Sequence, residues 1–141
     1  MVAWVLEWSS GDSTELWLGY RDGRDAVRLA ASDGSYFDDL TFSLDGDRLF
    51  FLVPYWVVSP QVNWADLETF EVHGSLVGAT QMRIVPRGRY AGLLALEQGI
   101  IKGEEIRMWY WRLHTTDLEF VEEVASEGGY DAWAVEHIPP R

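Results

Sequence analysis

Cysteine is absent from this 141-residue chain, lysine occurs once, at Lys102, and no uninterrupted apolar run approaches membrane length. Without cysteine there is no disulfide scaffold, no thiolate zinc site and no thiol nucleophile. Eleven basic side chains against 23 acidic ones leave a formal charge of −12, the wrong sign for a nucleic-acid or anionic-membrane surface. There is no G-x-G-x-x-G and no Walker-type lysine loop, so the familiar phosphate cradles are missing. The longest apolar stretch, Leu49 to Val58, is broken by Pro54 and falls well short of the roughly 20 residues a membrane helix needs. Met1 to Trp8 is apolar but has no basic residue ahead of it and is interrupted by Glu7, unlike a signal peptide. The expectation is a cytoplasmic protein with no membrane partner. Convincing helical periodicity is missing as well.

What is abundant is aromatic surface: 8 Trp, 6 Tyr and 6 Phe, within a composition 48% hydrophobic and 24% charged. The length suits one globular domain. Short apolar or aromatic runs alternate with Gly, Asp, Ser and Pro, the pattern of strands joined by hairpins. Predicted strands cover 2–8, 15–20, 26–29, 36–43, 48–53, 62–67, 70–76, 81–85, 90–96, 106–113 and 130–138. Leu118 to Ser126 has apolar residues at helical spacing, but nine residues make a marginal helix, and 118–124 is read as a strand.

Trp17, Trp64 and Trp111 recur at a spacing of 47 residues, each followed by a polar turn and another β-like run; such periods mark repeat architectures. A second correspondence links Leu40–Phe51 with Met82–Leu93, each a strand, a Gly-containing turn and another strand. Phe42-Ser43-Leu44-Asp45-Gly46-Asp47-Arg48-Leu49-Phe50-Phe51 resembles the F-S-P-D-G-x-x-L-A-F hairpin of TolB-type and WD-repeat-like β-propeller blades, and Asp66-Leu67-Glu68-Thr69 echoes their D-x-x-T turn. Leu44 replaces the usual Pro, and the second copy has Pro86 followed by Arg87. The resemblance implies an all-β chain of three four-stranded antiparallel blades. The first covers 1–33 plus strand 130–138, the second 34–77 and the third 78–128. A single β-sandwich or barrel is the alternative.

Propellers close with about 4–8 blades, so three imply a homodimer closing a six-bladed ring, with the C-terminal strand exchanged to complete the partner's first blade. Thr41, Ser43, Arg83, Glu136 and His137 would then line the channel. Tyr55, Trp56, Val57 and Val58, with Ile100 and Ile101 at the equivalent place in the next blade, form a candidate interaction patch on one rim, where loops carry function.

Candidate chemistry is sparse. His73, His114 and His137 lack metal-ligand spacing, no G-x-S-x-G surrounds a serine, and the carboxylate pairs Asp38-Asp39, Asp45 with Asp47, Glu104-Glu105 and Glu122-Glu123 read as solvated surface. No catalytic residue, metal or cofactor is assigned. The leading function is a non-enzymatic binding or scaffold module for a protein or small ligand. A lyase or hydrolase with its site in the channel is one alternative. An acidic immunity- or antitoxin-type protein holding a basic partner is another.

Overall fold

The computed structural model describes residues 1–7, 13–33, 36–54, 60–101, 107–124 and 128–141. In chain order the elements are β1 (Val2–Glu7), β2 (Ser13–Gly19), β3 (Val27–Asp33), β4 (Asp38–Phe42), β5 (Arg48–Val53), β6 (Gln61–Asp66), β7 (Val72–His73), β8 (Gln81–Ile84), β9 (Leu94–Ile101), β10 (Arg107–His114), β11 (Phe120–Glu123) and α1 (Gly129–His137). The strands form three antiparallel meanders: β1-β2-β3, β4-β5-β6-β7 and β8-β9-β10-β11. The chain is therefore all-β with one short helix.

Side-chain alternation decides how these sheets stack, because successive residues of a strand face opposite sides. In β5, Phe50 and Leu52 join Val62 and Trp64 of β6 on one side, meeting Met82, Leu94 and Leu96 of the third sheet. Leu49, Phe51 and Val53 face the other way, onto Leu16, Ala3 and Val5 of the first sheet. Phe50, Phe51 and Leu49 are fully buried, each contributing about 1.5–3 kcal/mol of apolar transfer free energy. The far face of the third sheet, with Ala95, Trp111 and Leu113, lies under Tyr130 and Trp133 of α1. The order through the molecule is first sheet, second sheet, third sheet, helix.

The turns follow local chemistry. In the β4–β5 hairpin, the Ser43 hydroxyl donates to Asp45 Oδ1 at 2.7 Å, the Asp47 amide donates to the same oxygen at 3.0 Å, and Gly46 takes φ 77°. These bonds, the Ser43 hydroxyl first, hold the Asp45 carboxyl below its ordinary pKa. Asp66 likewise accepts the amides of Glu68 at 2.8 Å and Thr69 at 3.1 Å, closing the turn between β6 and β7, and its carboxyl is lowered by those amide bonds.

Three expectations are corrected. The run 130–138 is not a strand: Gly129–His137 is helical, because Tyr130, Trp133, Ala134 and Ile138 fall on one side of a helix and cover the third sheet. The tail is held there by its own chain, with Arg87 Nε donating to the Pro139 carbonyl, so it offers no strand for exchange. Gln98 to Ile101 is not an excursion; β9 and β10 pair without a break from Leu94↔His114 to Ile101↔Arg107. The strand expected at 90–96 begins only at Leu94, because Gly88 and Gly92, both at φ 86°, carry a broader turn in which the Gly92 amide donates to Val85 O at 2.8 Å. Trp17, Trp64 and Trp111 lie on the strands next to the last of each sheet (β2, β6, β10), with different facings. Trp64 points toward the third sheet and Trp111 toward α1. In β2 it is Leu16 that faces the second sheet, so Trp17 lies on the opposite, outer face; a one-residue offset reverses a strand's sides.

Candidate functional site

The edge strands β4 and β8 of the second and third sheets lie side by side, joined through Asp39. This aspartate sits where the β4–β5 register shifts between Asp38 and Thr41, with φ 50°, a left-handed conformation uncommon outside glycine. Three bonds hold it. Its amide donates to Asp38 Oδ1 at 2.9 Å, its carbonyl accepts the Thr41 hydroxyl at 2.9 Å, and its Oδ2 accepts the Met82 amide at 2.8 Å. The same Oδ2 is 3.7 Å from Arg83 Nη1. Arg83 is further fixed by donating to the Met82 carbonyl at 2.9 Å and to Gln81 Oε1 at 3.3 Å.

Arg83 forms the wall between two recesses. One, of about 430 Å³, runs along β4 and β8 from Asp39 to Ile84. The other, of about 390 Å³, is lined by Gln81, Arg83, Glu97, Trp111, Gly128, Gly129, Tyr130 and Asp131. In this second recess Glu97 Oε1 accepts the Thr80 hydroxyl at 2.7 Å and Gln81 Nε2 at 3.3 Å. The rings of Trp111 and Tyr130 lie 5.3 Å apart at 40°. Burial raises the Tyr130 phenol above its ordinary pKa, so it stays a neutral hydroxyl. Gly129 at φ 74° turns the chain into α1, and a Cβ there would stand 3.6 Å from Trp111 Nε1.

Of the five residues expected to line a channel, Thr41 and Arg83 meet in this region. Ser43 does not: it is buried in the β4–β5 turn, bonded to Asp45 and Arg48. Glu136 and His137 went with the helix. Glu136 is exposed, and His137 stacks on Trp133 with ring centroids 5.0 Å apart, its Nδ1 2.9 Å from the Trp133 carbonyl. Tyr55, Trp56, Val57 and Val58 lie outside the described residues. Ile100 is half-buried within β9, opposite Met108, and Ile101 ends that strand.

The other histidines are packed. His73 stacks on Trp64 at 4.2 Å. His114 is buried against Phe120, and burial lowers its pKa. Among the described residues, no group of three or more His, Asp or Glu could hold a metal ion, and no helix is long and apolar enough to cross a membrane. Asp39, Gln81, Glu97, Trp111, Tyr130 and Asp131 were not anticipated as site residues. Two left a local trace: Asp39 in the Asp38-Asp39 pair, and Trp111 as the third of the tryptophans spaced by 47 residues. The others meet because β8, β9, β10 and α1 converge, which no short motif encodes. No family model, curated protein or solved structure matches this chain.

Proposed function

We propose that the chain is a non-enzymatic binding module of the β-propeller type whose ligand enters the recesses around Arg83 and is cationic, such as a basic side chain of a protein partner. The blade-like reading is supported by consecutive meanders stacked face to face, with edge strands β4 and β8 adjacent. One observation carries the ligand class: the two recesses that Arg83 lines hold this one guanidinium and three carboxylates, Asp39, Glu97 and Asp131. Arg83 is already engaged by Asp39 and by its own strand's acceptors, so the unbalanced charge is negative. Trp111 adds an aromatic wall, which attracts a cation further.

Calorimetric titration with hexa-arginine and hexa-glutamate peptides at physiological salt tests this. The arginine peptide should bind and the glutamate peptide should not. The double variant Glu97→Gln/Asp131→Asn should weaken binding about tenfold, roughly 1.4 kcal/mol, while Asp22→Asn/Asp25→Asn, an equal change of charge in the β2–β3 turn of the first sheet, should leave it within about twofold, because two sheet spacings of about 10 Å each put it beyond a Debye length. Equal losses in the two variants would reduce the effect to net charge and remove the site.

A further inference from the structure

The first sheet has an open inner edge. Its innermost strand, β1, corresponds to β5 and β9, each of which is paired on both sides, whereas β1 pairs with β2 alone. That pairing is unbroken from Val2↔Gly19 to Glu7↔Thr14. Among the described residues, the other edge of β1 has no backbone partner. Exposed edges are commonly blunted by lysine, proline, a bulge or a very short strand. Val2-Ala3-Trp4-Val5-Leu6-Glu7 has none of these, and Leu6 is 44% exposed.

We propose that β1 pairs antiparallel with β1 of a second copy, Trp4 opposite Trp4, joining the two first sheets into one of six strands across a two-fold axis. The occupant is a second copy because the strand is its own complement. With Trp4 on the axis, Ala3 meets Val5 and Val2 meets Leu6, so every opposed pair within 2–6 is apolar and shares a face. Trp4 already lies opposite Trp17 in β2, the rings 6.5 Å apart and 11° from parallel; the pairing extends this row to four tryptophans. A register centred on Val5 would instead set Glu7 opposite Ala3.

Charge supports the same register. On a chain of net −12, like charges must be kept apart. Centring on Trp4 separates the two Glu7 carboxylates by six residue steps, about 20 Å and beyond a Debye length at physiological salt. The charge beside the tryptophans is balanced: Arg28 Nη1 is 2.9 Å from Glu15 Oε2. Growth stops at two, since the pairing is isologous and consumes the edge, while the far end of the stack is covered by α1.

The native absence of cysteine supplies a clean test. Val2→Cys and Leu6→Cys chains, mixed under mild oxidation, should cross-link to each other, because directly opposed residues have Cα atoms about 4.5–5.5 Å apart, within disulfide reach. Each variant alone should not, its own cysteines being four residue steps, about 13 Å, from their copies. Light scattering on the unmodified chain at concentrations on the order of 100 μM, enough to populate a dimer with a dissociation constant of about 10 μM, should give twice 16.1 kDa. A mass that stays at one chain overturns the proposal even if the variants misfold. So does a dimer in which mixed, folded variants cross-link no faster than either alone, and cross-linking of Leu6→Cys by itself overturns the register.

Discussion

Gly46 and Gly88 occupy the turns of two matching hairpins, both at positive φ, 77° and 86°, yet their surroundings differ. A Cβ at Gly46 would meet nothing within 4 Å, while one at Gly88 would come within 2.6 Å of Pro139 Cδ. Asparagine tolerates the left-handed region better than other side chains, so Gly46→Asn should cost about 1 kcal/mol or less. Gly88→Asn must also push Pro139 away, adding about 1–3 kcal/mol of overpacking. Urea unfolding of both variants measures the difference; equal costs would mean that Pro139 does not rest on the hairpin. Site residues divided along a similar line. Arg83 and Thr41 were legible because they belong to strands whose alternation is plain in the sequence. Asp39 was not, because its importance comes from a backbone conformation and from an amide 43 positions away.

Among the elements, β5 coincides with the run anticipated from its residues, 48–53, since Leu49 to Leu52 are apolar enough for a strand covered on both faces. The other ten were legible to within several residues at their ends. The helix was not. Asp131-Ala132-Trp133-Ala134-Val135 alternates small and large like a strand, and a nine-residue segment is too short to be helical on its own strength. No side chain caps its start, and Val135 stays 85% exposed. What makes it a helix is the need of the third sheet for cover, which lies outside the segment itself. Trp133, 4% exposed, packs on Tyr90 with ring centroids 5.3 Å apart and on Tyr130 at 5.8 Å. Trp133→Ala should therefore destabilise the chain by about 3–5 kcal/mol, read by urea unfolding at a fixed protein concentration. A loss under 1 kcal/mol would show that α1 does not cover the sheet in solution.

At the scale of the whole molecule, the layered order sets a gradient of local stability. The second sheet lies between the first and third, and β5 is paired along its length by β6 and at three positions by β4. Opening β5 exposes two apolar clusters together, so its amides should exchange with solvent only through global unfolding. β1 has one neighbour and no fully buried side chain, so in dilute solution its outward amides should exchange faster by several orders of magnitude. Pairing of β1 across a two-fold axis would protect those amides in proportion to dimer population, leaving β5 comparatively unchanged at low denaturant. Hydrogen exchange at two concentrations separates the cases residue by residue. The layered order predicts slow exchange at Phe50, Phe51 and Leu52 throughout and concentration-dependent protection confined to Val2–Leu6. If β1 in dilute solution were as protected as β5, the first sheet would have an inner neighbour within its own chain, and both the open edge and the gradient would be wrong.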